Sequence, residues 1–153
     1  MTTNKTELIQ KAISCLKLQD ILLYESTFKR PDAVAASKHQ EGLIQHKRGV
    51  QYTIGKFEND GEQKDLLEIL VSLGTRVVQD ISEESPPVLF FIEAEFLVQY
   101  EIIKHLEGDA CKAFAENNAI HNVWPFWRQH VYDVVERARL PHIDIPLFSG
   151  QKL

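Results

Sequence analysis

Residues 88–103 alternate without a break. Val88, Phe90, Ile92, Ala94, Phe96, Val98, Tyr100 and Ile102 fall on one side of a period of two, and Leu89, Phe91, Glu93, Glu95, Leu97, Gln99 and Glu101 on the other. A pleated strand separates side chains in this way and a helix does not. The first set must lie against a core. The second mixes large apolar groups with three glutamates, so it faces water in part. A strand covered on one face belongs to an antiparallel sheet backed by something broad and apolar.

The backing is read from residues 117–147. Val123, Phe126, Trp127, His130, Val131, Val134, Val135 and Ala138 recur at steps of three and four, which places them on one helical stripe. Trp124 and Tyr132 fall beside the best-aligned positions. Pro125 can start or kink this helix but is not expected in its middle, because it lacks an amide hydrogen. Pro141 closes it, since the residue before a proline avoids the α region. Burying such a stripe is worth roughly 1.5–3 kcal/mol for each large side chain.

The remaining chain supplies the other strands. Leu8, Ile9, Ala12, Ile13 and Leu16 predict a short N-terminal helix ending near Ser14. Residues 15–28 turn extended, irregularly near Asp20. Residues 29–49 read as a long crossover, either a functional loop or a passage over one end of the sheet. Val50, Tyr52 and Ile54 alternate with polar neighbours as a second strand. Asn59-Asp60-Gly61 then signals a hairpin. The returning strand sets Leu67, Ile69, Val71 and Leu73 against Leu66, Glu68, Leu70 and Ser72. Gly108-Asp109 predicts a helix start with Asp109 as N-cap, and Asn117-Asn118 an interruption before the Trp-Pro segment.

This order predicts one α+β domain over residues 1–153, a four-stranded antiparallel sheet with helices packed on one face. Its parts are an N-terminal helix (1–14), the sheet with its crossover (15–103), the main helical segment (109–140) and an extended tail (141–153). The uncovered face keeps Leu66, Leu70, Leu89, Phe91 and Leu97. Apolar residues on an open face, together with unpaired strand edges, predict homo-oligomerisation.

Composition narrows the function. A net charge of −5 with two isolated basic pairs, Lys29-Arg30 and Lys47-Arg48, argues against a nucleic-acid surface. The run 88–92 is far short of the ~20 residues of a membrane span. The N-terminus lacks a signal-peptide stretch, and a cytoplasmic protein is expected. Cys15 and Cys111 stand alone, and free thiols are the simpler reading.

Chemistry is hard to find. The chain has no GxSxG, HExxH, phosphate loop or GxGxxG after a strand. Six histidines, His39, His46, His105, His121, His130 and His142, lack ligand spacing, and His130 reads as a hydrogen-bonded helix-interface residue. Glu93 and Glu95 share a strand face and could form an acid/base pair. They also read as charges that keep an open face soluble, the preferred reading, or as an acidic patch for a basic partner beside Phe91. No enzyme, metal or cofactor is expected.

Three stretches resemble the SecB family of protein-export chaperones. KLQDILLYE (17–25) is similar to the family's "KDISFE" region with one extra residue, and LFFIEAEF (89–96) to its "FLCEV" strand. The most specific is NVWPFWRQHVYDVVERARLPHIDIPLF (122–148), with Pro125, Arg128, Pro141 and Pro146 as anchors before a segment like "FPxLxLxP". The resemblance spans residues 12–148. It implies a tetramer, a dimer of dimers, that binds unfolded polypeptides without ATP and hands them to a SecA-type translocation motor. Docking of that motor would fall to Asp20, Glu25, Phe91 and Glu93. Client binding would fall to Val34, Leu43, Ile44 and Tyr52, and oligomer contacts to Trp124, Arg128 and Tyr132. The crossover has none of the family's aromatic residues, and the family's C-terminal helix and acidic tail have no counterpart before Leu153. Both departures imply a narrower client range. The N-terminal helix and the Tyr132-Asp133 run also resemble SecB-like chaperones dedicated to the antitoxin of a toxin–antitoxin system. An adaptor binding one folded partner is the remaining alternative.

Overall fold

The structure, a computed structural model, describes residues 4–31, 42–81 and 84–148. Helix α1 (Lys5–Cys15) opens on Asn4, whose Oδ1 accepts the Thr6 amide at 3.2 Å. It runs straight into strand β1 (Leu16–Lys29). Strands β2 (Gly42–Asn59), β3 (Glu62–Gln79) and β4 (Val88–Ile102) complete a sheet of order β1-β4-β3-β2, with every neighbouring pair antiparallel. Helices α2 (Gly108–Phe114) and α3 (Ile120–Arg137) lie on one face, joined by a π-helical turn over Ala115–Ala119. The α+β architecture expected from the alternation is the one observed.

The β2–β3 hairpin turns at Asp60 (φ 52°) and Gly61 (φ 79°). Two left-handed residues in succession match the right-handed twist of the flanking strands. From that turn the pairing runs unbroken from Asn59↔Glu62 to Gly42↔Gln79. Strand β2 therefore takes in residues 42–49, which the side-chain pattern assigns to the crossover. The sequence GLIQHKRG shows no alternation to read, and backbone pairing with β3 holds it instead. β1 is irregular at Asp20 as expected. Gln19 is an extra residue between the pairs Leu18↔Tyr100 and Asp20↔Gln99, and Tyr24 a second one between Leu23↔Phe96 and Glu25↔Glu95.

The core forms where the two central strands meet the helices. Leu67, Ile69, Val71 and Leu73 of β3 and Phe90, Ile92, Ala94, Phe96, Val98 and Tyr100 of β4 are buried. The Tyr100 ring meets Phe114 edge-on at 5.0 Å, and its hydroxyl accepts from Asn122 Nδ2 at 2.8 Å. Burial pushes the phenol up to about 12. Cys15 and Cys111 are buried free thiols, and burial raises that of Cys111.

The helical layer departs from expectation in four places. Glu107, not Asp109, holds the N-cap position of α2, and Asp109 sits in the first turn, where the helix dipole favours an anion. Asn117-Asn118 does not interrupt the helix: the backbone widens into the π turn, and Asn117 Nδ2 donates to Ala113 O at 2.7 Å. Pro125 lies inside α3, not at its start. A proline there costs about 3 kcal/mol. Two buried tryptophans beside it offset that, each contributing roughly 5 kcal/mol from ~200 Å² of apolar surface. Finally, the buried arc is rotated. Trp124 is 3% exposed and Phe126 51%, while Ile120, Val123, Trp127, Val131 and Val135 are buried. His130 packs by its ring, 6.5 Å from Phe96 and 6.2 Å from Trp127. Burial lowers its pKa, partly countered by Asp133.

The rotation has a cause in the segment after α3. Arg139 adopts a left-handed conformation (φ 55°) and Leu140 N donates to Val135 O at 3.0 Å, which ends the helix. The Arg30 guanidinium, at the end of β1, donates to Ala138 O. Residues 141–148 then return along α3 with Ile143 and Ile145 buried. This strap covers the side of α3 that carries Trp124.

Candidate functional site

The helices cover the middle of the sheet and leave apolar side chains exposed on both edge strands. On β2, Ile44, Tyr52 and Ile54 stand opposite the buried Val77, Ile69 and Leu67, so they point to the helical side. All three are nonetheless exposed, Ile54 by 57%. On β1, Leu18, Leu23 and Phe28 stand opposite the buried Tyr100, Phe96 and Ile92 and are likewise exposed. Among the described residues neither edge strand has an outer partner. β2 is 18 residues long and unbulged, an unusual length for an edge. At its hairpin end a cleft of about 390 Å³ is lined by Ile54, Ile102, Ile103 and Leu106 with Asp65 and Lys104.

The expected client residues are thus partly brought together. Ile44 and Tyr52 share the helical side of β2, although eight residues separate them, roughly 27 Å along a strand. Leu43 is exposed but adjacent to Ile44, so it points to the opposite side. Val34 lies outside the described residues. Ile54, exposed on the same side, is not among the expected client residues. The Val50-Tyr52-Ile54 alternation held it, but nothing in that pattern says the strand is an edge.

The open face of the sheet carries the acidic cluster. Phe91 is half-buried and pairs across with Lys29 and Arg76. Glu93 lies opposite Thr27 and Gly74, and Glu25 directly opposite Glu95. Glu25, Glu93 and Glu95 line one shallow hollow with Thr27, Ser72 and Lys47. Asp20 is remote, opposite Gln99, and its Oδ1 accepts the Ile21 amide at 2.8 Å within the bulge. Four strand residues, roughly 14 Å, separate it from Glu25's partner Glu95.

Polar neighbours hold most of these carboxylates. Lys47 Nζ reaches Glu93 Oε1 at 2.6 Å, crossing β3 above Gly74. A Cβ on Gly74 would meet the lysine chain at 2.7 Å, so the glycine makes room for it. Ser72 Oγ donates to Glu95 at 3.1 Å, Gln99 Nε2 to Glu68 at 3.0 Å, and Lys64 pairs with Glu101 at 3.1 Å. Next to the Lys47–Glu93 pair a cleft of about 280 Å³ is lined by Phe91, Gln45, His46 and Arg76. Burial lowers the His46 pKa.

The three residues expected between subunits meet the chain's own strap. The Trp124 indole N–H donates to Pro146 O at 2.7 Å, and its ring is buried within the chain itself. Arg128 Nε donates to Ile145 O at 3.0 Å, and the half-buried Tyr132 stacks on His142 with ring centroids 6.0 Å apart. The strap's apolar positions Ile143 and Ile145, in a segment without regular structure, gave no period from which this packing could be read.

Among the described residues no three His, Cys, Asp or Glu side chains gather as a metal site, and no helix is long and apolar enough to cross a membrane.

No family model matches the sequence, and no curated protein matches it. Solved structures do. A protein of unknown function from Streptococcus agalactiae shares 13% identity over 86% of this chain and 96% of its own, with a TM-score of 0.44. The Rv1957 SecB-like chaperone of Mycobacterium tuberculosis was solved in complex with a ChAD peptide from the HigA1 antitoxin Rv1956. It superposes with a TM-score of 0.66 at 13% identity, over 94% of this chain and 97% of its own. The chain therefore has a SecB-like fold.

Proposed function

We propose that this chain is a SecB-like chaperone that binds extended, non-native polypeptides without nucleotide and performs no catalysis. The observation that carries the reading is strand β2, an 18-residue unbulged edge with Ile44, Tyr52 and Ile54 exposed on its helical side. An extended client adds to such an edge through main-chain hydrogen bonds that any sequence can make, and its apolar side chains meet the uncovered positions. The likeness of the fold to a chaperone that binds a peptide supports this reading.

Assembly belongs to the other edge. β1 presents Leu18, Leu23 and Phe28, and α1 presents Ile13, exposed apolar side chains that a second copy would cover on the way to a dimer of dimers. Delivery to a SecA-type motor for export is the first cellular role we assign. Glu25, Phe91 and Glu93 on the open face offer its docking surface, with Asp20 at the margin. Service to a single antitoxin is the second reading, favoured by the antitoxin peptide held by the Rv1957 chaperone.

The test is suppression of aggregation of a slowly refolding client, followed by light scattering in the absence of nucleotide. The wild-type chain should suppress it. Tyr52→Lys with Ile54→Lys should weaken client binding at least tenfold, about 1.4 kcal/mol. Equal suppression by that variant would remove β2 from the site. Chains co-purified from native lysate then separate the roles: many secretory precursors indicate export, one antitoxin a dedicated chaperone.

A further inference from the structure

The strap ends against the site assigned to clients. Phe148 packs against the Trp124 ring, centroids 5.4 Å apart and planes tilted by 44°, and lies 6.0 Å from His121, both on α3. The Arg48 guanidinium lies 5.4 Å over the Phe148 ring. Arg48 stands on β2 opposite the buried Leu73, so it shares the helical side of the edge with Ile44 and Tyr52 and lies between them. A single aromatic ring of the chain therefore bridges α3 and the client-binding strand.

Its attachment differs from that of the strap before it. Pro146 and Ile145 are held through their carbonyls by Trp124 and Arg128. Among the described residues no hydrogen bond holds Leu147 or Phe148, and Leu147 is 76% exposed. Among the described residues Phe148 is held by ring contacts, and the hydrogen bonds that secure the strap at Ile145 and Pro146 do not pass through it. Arg48 adds a second mark of an incomplete site: its Nη1 is buried and, among the described residues, has no acceptor. Buried donors ordinarily have one. A peptide carbonyl running along β2 would supply it.

We propose that the hollow formed by Arg48, His121 and Trp124 is a binding site for an aromatic side chain of a client polypeptide, and that Phe148 fills it as a competitor built into the chain. The inference rests on the chaperone reading above and adds to it a preferred ligand and a threshold. A client lacking an aromatic residue binds along β2 and leaves Phe148 seated. A client carrying one displaces it, and the guanidinium then stacks on the incoming ring. Apparent affinity falls by the fraction of time the site is free, so removing the competitor strengthens aromatic clients selectively.

The experiment uses the full chain and two fluorescein-labelled unfolded peptides that differ at one position, Phe in one and Ala in the other. Anisotropy should show Phe148→Ala binding the Phe peptide on the order of tenfold more tightly than wild type, with no change for the Ala peptide. Because Phe148→Ala also loosens packing on Trp124, 4-fluorophenylalanine placed at position 148 gives an independent reading. Its fluorine resonance should move toward the free value at saturation with the Phe peptide and stay in place with the Ala peptide. An unmoved resonance at saturation, or an equal response to both peptides, overturns the proposal and leaves the chaperone reading intact. If neither peptide binds wild type or variant, the chaperone reading fails and the site falls with it.

Discussion

The two edges of the sheet are built from similar material and differ in regularity. Both expose large apolar side chains on the helical side, Leu18, Leu23 and Phe28 on β1 and Ile44, Tyr52 and Ile54 on β2. β1 carries extra residues at Gln19 and Tyr24, whereas β2 keeps one register for its whole length. A bulge bends a strand and interrupts its row of donors and acceptors. An incoming chain can follow such an edge only if its own shape matches the interruption, as a copy of the same chain can. A straight edge sets no such condition. Irregularity selects a partner, and regularity accepts many.

The strongest way to break this comparison is a pair of charge insertions. Leu23→Lys should raise the dissociation constant of the oligomer at least tenfold, about 1.4 kcal/mol, with peptide binding per subunit retained. Ile54→Lys should do the reverse. Sedimentation velocity with peptide anisotropy reads both. If Leu23→Lys abolishes peptide binding while the oligomer persists, the two roles are exchanged.

A second prediction concerns the face between the edges. Glu93→Lys places an ammonium beside Lys47 and should weaken a basic peptide of the translocase type severalfold while oligomer and client binding stay as in wild type. Unchanged affinity for the basic peptide would take Glu93 and Phe91 out of the docking surface.

The smallest expected effect is a pH dependence, and it lies outside β1. β1 contains no histidine, whereas His46 lies on β2 and His130 under the core-facing side of α3. Burial depresses both pKa values in the folded chain. Well above about pH 6.5 neither state binds these protons. As pH falls below that value the unfolded chain takes them up first, so stability declines until the folded pKa values are passed. A drop of a few degrees in Tm between pH 7.5 and 5.5, reduced in His130→Phe, is the expected calorimetric result. A Tm that rises on acidification would show the sign to be wrong.

How far the sequence disclosed this molecule depended on what held each part together. β4 and the inner half of β3 were legible because a covered face imposes a period of two, and the predicted core positions from Leu67 to Leu73 and Phe90 to Tyr100 are buried, while Val88 and Ile102 at the ends of β4 are half-buried. Residues 42–49 were not, since the start of an edge strand is held by its backbone ladder and its side chains are free to be polar. Trp124 and Phe126 were exchanged because the stripe was read for a helix with one covered side, and the strap covers a second. The docking cluster was legible in part. Phe91 and Glu93 are neighbours on one strand face, but the bulge at Tyr24 that brings Asp20 and Glu25 to the same face leaves only a faint trace in the spacing of β1.

Gly74 gives the open face an unusual kind of adjustability. Lys47 occupies the volume a side chain at that position would fill, and through it reaches Glu93. Gly74→Ala, a change of one neutral methyl group, must therefore push the lysine aside and release the carboxylate. The chain's net charge would be unaltered, yet the local potential over Glu25, Glu93 and Glu95 would turn more negative. The electrostatics of this surface are set by a steric residue that bears no charge, and substitutions at positions 47, 74 and 93 are coupled rather than additive.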